Sequence, residues 1–208
     1  MNTLVYSIDK TENPTTLYVN LTNACTNNCV FCLREQKDDV CGKEMWLETE
    51  QISLEQIIEQ FNTFATPQQI VFCGYGEPMI KLDLLKDFAT FLKTNYPSIK
   101  IRINTNGHAN AIHKRDILPE LKGLIDEFSI SLNGASEQEY NELSQPKIQN
   151  AFEEVKSFIK KAVENGFDTT ATMVSGFKKD MPNIEIGKQI AESLGAKFRV
   201  REFITNGY

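Results

Sequence analysis

The sequence predicts an α/β fold in which six parallel strands with outer helices form a partial (β/α)6 barrel. Segments typical of strands alternate with segments typical of helices along the chain, and this alternation favours a parallel sheet covered by helices. The 208 residues are fewer than a full eight-unit barrel usually needs. No internal repeat and no proline- or glycine-rich linker divides the chain, which predicts one domain over residues 1–208.

Six short segments, several of them rich in β-branched and aromatic residues, are the predicted strands. Several alternate apolar and polar residues, as expected for half-buried strands, whereas QQIVFCG is typical of a buried strand. In chain order the segments are TLYVNLT (16–22), QQIVFCG (68–74), IKIRINTNG (99–107), FSISLNG (128–134), FDTTATMVSG (167–176) and AKFRVREFI (196–204).

Helices are predicted between these strands from the spacing of apolar residues and from capping signals. Ser53 followed by Gln56, and Ser136 followed by Glu139, match the capping box that begins many helices. Asn165-Gly166 is a typical helix stop. The predicted helices cover residues 52–65, 82–96, about 150–165 and 183–195, with a further helix beginning after Ser136.

Composition limits the classes of function. The chain carries 28 acidic and 22 basic residues and a net charge of −6, which argues against a broad nucleic-acid-binding face. No apolar run is long enough to cross a bilayer, and the first residues lack the pattern of a secretory signal. We therefore expect a cytoplasmic protein without membrane association. In a reducing cytosol, clustered cysteines are more often metal ligands or catalytic groups than disulfides.

Three of the five cysteines, Cys25, Cys29 and Cys32, lie within eight residues directly after the first predicted strand. A structural zinc site takes four ligands, commonly as two separated pairs, and an ordinary four-iron cluster takes four cysteines. Cys41 and Cys73 stand alone in the sequence, so no fourth ligand lies nearby. Three thiolates on four irons leave one iron open to a substrate or cosubstrate. The alternative is a non-catalytic zinc- or iron–sulfur-binding module.

The pattern Cys25-x3-Cys29-x2-Cys32, with the aromatic Phe31 before the last cysteine, resembles the signature of the radical S-adenosylmethionine (radical SAM) enzymes. The resemblance implies a barrel of the radical SAM type and a 4Fe–4S cluster held by the three cysteines, with SAM chelated at the remaining iron. It also implies an external electron donor of the flavodoxin or ferredoxin type. The reduced cluster would cleave SAM to methionine and a 5′-deoxyadenosyl radical, which takes hydrogen from an unidentified substrate.

A second segment, Gly74-Tyr75-Gly76-Glu77-Pro78, follows the second predicted strand and resembles the G-G-E-P segment of this family. The resemblance implies that Gly76 and Glu77 meet the amino group of SAM. A glycine permits close approach of the backbone, and a carboxylate attracts an ammonium group. Tyr75 stands where the commonest pattern has a glycine, so its role is left open.

Two further strand ends match the family in order. Asn104-Thr105-Asn106-Gly107 resembles a T-N-G segment near the ribose and the substrate, which implies cofactor contacts for Asn104 and Asn106. The stretch 129–133, SISLN, resembles a strand whose serine meets the polar end of SAM, here Ser131. His108 and His113 follow the T-N-G turn, where either is a candidate to reach a substrate.

The remaining candidates have two interpretations each. The backbone around Phe31 is implied to stack on the adenine of SAM, or its ring packs in the core beside the cluster. Arg34 either moderates the charge of the cluster or forms a surface ion pair. Arg199 and Arg201 share one face of the last strand. If that face points inward they bind the SAM carboxylate or a substrate acid, and otherwise they pair with helix carboxylates.

Several stretches of the chain are similar to a subgroup, the small radical SAM proteins associated with TatD-family nucleases. They are NLTN, FCGYGEP, RINTNG, SISLN and FRVR. This similarity implies association with a TatD-type nuclease. It does not identify a substrate. An open partial barrel leaves one side accessible to a bulky substrate, such as a protein or a modified nucleotide or RNA, although the acidic charge balance argues against RNA. The alternative is a barrel closed by a dimer partner around a small metabolite. Cys73 is expected to be a buried small residue and Cys41 to have no specific role.

Overall fold

A computed structural model describes residues 2–9, 11–178 and 182–203. Within these ranges the strands are β1 (Val5–Tyr6), β2 (Thr16–Val19), β3 (Asp39–Val40), β4 (Lys43–Glu44), β5 (Gln69–Phe72), β6 (Lys100–Thr105), β7 (Glu127–Ser131), β8 (Asp168–Ser175) and β9 (Lys197–Glu202). The α-helices are α1 (Leu54–Phe61), α2 (Leu82–Asn95), α3 (Ala109–His113), α4 (Glu137–Ser144), α5 (Ala151–Glu164) and α6 (Ile184–Ser193).

Seven of these strands form one sheet in the order β1-β2-β5-β6-β7-β8-β9. The strands from β2 to β9 in this order pair in parallel, whereas β1 pairs antiparallel with β2 at the edge. The six predicted strands and their parallel arrangement are thus confirmed. Ile204, the last residue of the sixth predicted strand, lies outside the described residues.

The two faces of the sheet differ in chemistry because successive side chains point to opposite sides. On β6, Ile101 and Ile103 are fully buried in the main hydrophobic core, where α2 and α5 cover the sheet. Arg102 and Asn104 alternate with them and point to the other side, which is polar. The helices therefore cover an apolar face and leave a polar face without helices among the described residues.

The polar face is concave. Arg201 on β9 reaches across β8 to the Ser131 hydroxyl of β7 at 3.4 Å, and its charge also influences the Cys73 thiol at the end of β5. Side chains of this face therefore lean toward its middle, as expected for the inside of a partial barrel.

The predicted helix ends are largely observed. Ser53 and Gln56 form both hydrogen bonds of the capping box at the start of α1. Ser136 caps α4 through the backbone N–H of Glu139. The Glu139 carboxylate accepts hydrogen bonds from the backbone N–H groups of Ala135 and Asn183, so it links α4 to the start of α6. α5 ends as predicted, with Gly166 at a φ of 87°.

Three strands, β1, β3 and β4, were not predicted from the sequence, because each is only two residues long. β1 adds to the edge of the sheet through Val5 and Tyr6. β3 and β4 form a separate hairpin around Cys41 and Gly42, whose φ angles are both positive, at 53° and 74°. Such a turn needs two residues in the left-handed region, which glycine adopts easily and cysteine does not.

None of the described helices has the length and apolar character needed to span a membrane.

Candidate functional site

The three clustered cysteines lie in the loop that follows β2, at the carboxyl end of the parallel strands. All three are free and partly exposed. The Asn27 backbone N–H points at the sulfur of Cys25 (3.5 Å), and the Cys32 N–H donates to the carbonyl oxygen of Cys29 (3.0 Å). Ligands in parallel sheets bind at this edge, so the loop presents its thiols where a cofactor is expected.

The cysteine loop is held against the C-terminal end of α4. The Asn28 N–H donates to the carbonyl oxygen of Ser144, and the Val30 N–H donates to that of Leu143, both at 3.0 Å. The last carbonyls of a helix have no partner within the helix. Here the loop provides N–H donors to two of these carbonyls, and Cys29 lies between the two donors.

Burial disfavours the thiolate form of these cysteines unless a positive charge lies nearby. Burial, together with the neighbouring Cys32 and Cys25, raises the pKa of Cys29 to about 12. Burial also raises the pKa of Cys25 and Cys32. A bound metal centre supplies such charge and deprotonates its thiol ligands.

Arg34 is the cation nearest this site in sequence. Its side chain is only 8% exposed, although it also approaches Glu35 at 3.3 Å. Its guanidinium donates to the Asn27 carbonyl (3.3 Å) and to the Asn28 side chain (3.1 Å). The Arg34 charge lowers the pKa of all three thiols against the effect of burial. The ion pair with Glu35 is thus observed, with the Arg34 side chain buried and that of Glu35 exposed, and an effect of Arg34 on the charge of a cluster stays a prediction.

The number and type of donors in the loop indicate which metal centre the three thiols fit. Among the described residues, no three histidine, cysteine, aspartate or glutamate side chains converge on a single metal-ion position. A four-iron cluster binds each cysteine through a different iron, so its ligands are spread around it. A closed tetrahedral zinc site needs four converging ligands. The donor set thus fits a three-cysteine iron–sulfur cluster better than zinc.

Gly76 is required by the close approach of the cysteine loop. A Cβ atom at this position would lie 2.2 Å from the carbonyl oxygen of Thr22 and 2.6 Å from that of Ala24. The next residue, Glu77, donates its backbone N–H to the same Ala24 carbonyl at 2.8 Å. The segment after β5 therefore packs directly on the segment that carries Cys25.

The Glu77 carboxylate lies beneath this contact and is almost completely buried. It accepts hydrogen bonds from the Thr105 hydroxyl (2.8 Å) and from the backbone N–H groups of Asn106 (2.7 Å) and Met79 (3.2 Å). Burial raises the pKa of Glu77 to about 7, against these three donors. The carboxylate thus joins the end of β5 to the end of β6. Its contact with the amino group of SAM stays a prediction.

Replacing Glu77 with glutamine should weaken this junction. An amide keeps one acceptor oxygen and turns a donor toward an N–H or hydroxyl group that needs an acceptor, which costs about 1–3 kcal/mol. We expect the free energy of unfolding of Glu77→Gln, measured in urea, to fall by that amount. Glu59→Gln is the matched control, because Glu59 is exposed on α1. Equal stability of the two variants would contradict the proposed junction.

Asn106 lies behind Cys25. Its side-chain amide donates to the Thr26 hydroxyl at 2.8 Å and approaches the Cys25 sulfur at 3.7 Å. Thr26 in turn bonds to Nδ1 of His108 (3.0 Å), and Nε2 of the same ring bonds to the Tyr140 hydroxyl (2.9 Å). A chain of hydrogen bonds therefore runs from the cysteine loop to α4.

His108 is fully buried within this chain, and burial lowers its pKa to about 4. It is neutral at pH 7, with both ring nitrogens engaged by protein groups. It supports the loop rather than reaching into open space. His113 is likewise occupied, because its Nε2 bonds to the Met79 carbonyl at 2.7 Å. His108 was a candidate because it directly follows Gly107. Nothing in the sequence pointed to its partner Tyr140.

The other predicted site residues line the concave face or its rim. Asn104 hydrogen-bonds to the Cys73 thiol, and Ser131 accepts a hydrogen bond from Arg201 at 3.4 Å. Arg199 donates to the Ser129 hydroxyl at 3.3 Å. These contacts place both arginines of β9 on the concave face, where they remain exposed.

Phe31 lies at the rim of this face and packs on Phe177, with ring centroids 4.9 Å apart. Tyr75 belongs to a separate small cluster, in which its ring meets Trp46 at 5.2 Å and its hydroxyl donates to the Lys37 carbonyl. Tyr75 therefore anchors the segment that precedes the hairpin β3–β4. Cys41, in the turn of that hairpin, directs its sulfur toward the Ile8 carbonyl at 3.8 Å.

The sequence is similar to that of the protein MJ0907 of Methanocaldococcus jannaschii, with 25% identity over 130 residues, 62% of this chain and 41% of the relative. The fold is similar to methylornithine synthase (PylB), with a TM-score of 0.65 and 14% identity over 93% of this chain and 55% of PylB. It is also similar to anSMEcpe with bound AdoMet, with a TM-score of 0.59 and 16% identity over 90% of this chain and 50% of anSMEcpe.

This chain thus spans about half the length of these relatives. The sequence model of the Radical SAM superfamily matches residues 19–185, which include the three cysteines, the Gly74–Pro78 segment and the ends of β6 and β7. These are the segments that the structure brings together at one edge of the sheet. The chain belongs to the Radical SAM superfamily.

Proposed function

We propose that this protein is a radical SAM enzyme in which Cys25, Cys29 and Cys32 hold a 4Fe–4S cluster. When bound and reduced, the cluster supplies an electron that cleaves SAM to methionine and a 5′-deoxyadenosyl radical, which takes hydrogen from a substrate. The observation that carries the proposal is the direct packing of the cysteine loop on the segment 74–78. The Ala24 carbonyl and the Glu77 N–H, 2.8 Å apart, join the two.

The residues of the chain have two tasks in this proposal. Asn106 and His108 hold the cysteine loop from behind through Thr26. Gly76 and Glu77 hold it from the β5 side and present their backbone to the amino group of SAM. Both tasks orient the thiols before the cluster binds, which lowers the entropy lost on binding.

The remaining contacts with SAM are proposed for residues at the rim of the concave face. The ribose lies near Asn104 and Asn106, the polar end of SAM near Ser131, and the adenine near the backbone of Phe31. Arg199, which its hydrogen bond to Ser129 holds on the concave side, offers its guanidinium to an acid there, either the SAM carboxylate or a substrate acid.

The finer assignments rest on the similarity of sequence segments. We propose one radical SAM core domain over residues 1–208, within the subgroup of small proteins associated with TatD-type nucleases. A nuclease of that type is then a candidate partner. An external one-electron donor, of the flavodoxin or ferredoxin type, has to reduce the cluster. A cytoplasmic location is consistent with five unpaired cysteines.

Anaerobic turnover with SAM and dithionite tests the proposal. We expect a brown protein with stoichiometric iron and sulfide, whose colour bleaches on reduction, and 5′-deoxyadenosine that accumulates only when SAM and reductant are both present. Electron paramagnetic resonance of the reduced protein should change when SAM is added, because SAM binds the open iron. Stoichiometric zinc without acid-labile sulfide after anaerobic purification would instead indicate a non-catalytic binding module.

A further inference from the structure

The concave face of the sheet carries most of the arginines of this acidic protein. Three of the five arginines, Arg102, Arg199 and Arg201, occupy alternate positions on β6 and β9 that point to this face. Arg199 reaches the Ser129 hydroxyl of β7 at 3.3 Å, and Ser129 pairs in register with Asn104 of β6. Arg199 therefore lies next to Asn104, which follows Arg102 on the same face of β6.

Two of these arginines have no anionic partner. Neither Arg102 nor Arg199 forms an ion pair with a carboxylate in the described part of the chain. The nearby carboxylates on this face are otherwise engaged, since Glu127 accepts from the Gln69 amide at 3.1 Å and Asp168 pairs with Lys197 at 2.8 Å. Neither carboxylate forms an ion pair with Arg102 or Arg199, so both guanidinium groups can pair with an anion from outside the protein.

Two buried polar atoms on β6 also lack partners. Nε of Arg102, a donor, and Oδ1 of Asn104, an acceptor, are buried without a hydrogen bond to any described residue. The two residues are i and i+2 on one strand, so their side chains are neighbours on the same face. A buried polar group without a partner is costly. A ligand that accepts from one atom and donates to the other removes both costs.

We propose that Arg102, Asn104 and Arg199 form the substrate subsite of this enzyme, and that it takes a small molecule with an oxyanion beside a hydrogen-bond donor. The guanidinium groups bind the oxyanion, a carboxylate or a phosphate, and the Asn104 oxygen accepts from a hydroxyl or amine next to it. This inference rests on the proposed function, because a substrate has to lie next to SAM. It favours a small acidic metabolite over a macromolecule.

The position of Arg102 separates this subsite from the expected place of SAM. Arg102 pairs in register with Val71 of β5 and with Glu127, the first residue of β7. The cysteine loop lies beyond the carboxyl ends of the same strands. A ligand of Arg102 therefore lies deeper in the barrel than a ligand of the cysteine loop, and Asn104 lies between the two.

Equilibrium dialysis of the purified protein with labelled L-lactate and inorganic phosphate tests the subsite. Lactamide is the uncharged control of the same shape as lactate. We expect both anions to bind and lactamide not to bind. Because bidentate binding of an oxyanion depends on the guanidinium, Arg102→Gln should weaken anion binding by about tenfold or more. Arg199→Gln, at an exposed position that the fold tolerates, should weaken it severalfold.

Arg115→Gln is the matched control, because Arg115 carries the same charge but pairs with Glu120 on the surface. It should leave anion binding unchanged. Binding of lactamide as tight as lactate, no anion binding by the wild type, or equal binding by the Arg102→Gln, Arg199→Gln and Arg115→Gln variants would each overturn the proposal.

The SAM carboxylate is a second source of the same oxyanion chemistry, and competition distinguishes it from a substrate. We expect saturating SAM to leave phosphate binding intact, whereas displacement of phosphate by SAM would assign Arg102 to the cofactor and overturn the substrate subsite. The dialysis needs neither a reductant nor turnover. A protein that fails to cleave SAM can therefore still pass this test, and one that cleaves SAM can still fail it.

Discussion

Cys29→Ala should eliminate both the iron–sulfur cluster and SAM cleavage. Two cysteines cannot hold three irons, so the loss should far exceed the roughly 100-fold that removal of an outer-shell partner costs. Cys29 lies between the other two ligands and is anchored by the loop bonds of Asn28 and Val30 to α4. Its alanine variant should therefore keep the fold while losing the metal. The measurements are iron and sulfide content and the rate of 5′-deoxyadenosine formation.

Cys41→Ala is the matched control for this variant. Cys41 is also a free, partly exposed cysteine, but it lies in the turn between β3 and β4. Its loss should leave cluster content and SAM cleavage close to those of the wild type. If Cys29→Ala retained full cluster content, or if Cys41→Ala lost it, the assignment of the three ligands would be wrong.

The sequence was sufficient for the main features of the fold because each carries a local signal. The six predicted strands either alternate apolar and polar residues or are continuously apolar. Ser53 and Gln56 predict the start of a helix from four residues. The strands that were missed, β1 and β3–β4, have no such signal. A two-residue strand shows no period, and a hairpin turn at Cys41-Gly42 departs from the usual turn residues.

The proposed ligands of the candidate site could be predicted from the sequence, whereas the residues that hold the cysteine loop in place mostly could not. Cysteine spacing is visible in one dimension, so Cys25, Cys29 and Cys32 could be named at once. The chain from Asn106 through His108 to Tyr140 joins residues far apart in sequence. No local pattern encodes such contacts, because they depend on how α4 packs beneath the loop.

Gly76 was named from the sequence, but one reason for it could not be predicted. Resemblance to the family singled out this glycine and implied that its backbone meets SAM. The structure adds a reason that lies within the protein, since the Thr22 and Ala24 carbonyls occupy the place of a Cβ atom. A residue identified through a ligand can thus also be required by the packing of two loops.

Gly76→Ala should consequently disrupt the cysteine loop, although alanine is the smallest possible addition. The new methyl group would meet backbone atoms at 2.2 and 2.6 Å, and backbone cannot rotate away as a side chain can. Overpacking typically costs about 1–3 kcal/mol, and here the shift would fall on the strand end that carries Cys25. We expect unfolding in urea to show a loss of that size and reconstitution to incorporate little iron.

Gly187→Ala provides the contrast, because the added methyl group there also meets an atom at 2.0 Å, but that atom is the sulfur of Met173. A methionine side chain is flexible and can move aside, and α6 lies apart from the cysteine loop in the chain. This variant should keep its cluster even if some stability is lost. Equal iron content in the two variants would mean that the loop tolerates the Gly76 methyl group, and that the packing of residues 74–78 on the cysteine loop does not determine cluster binding.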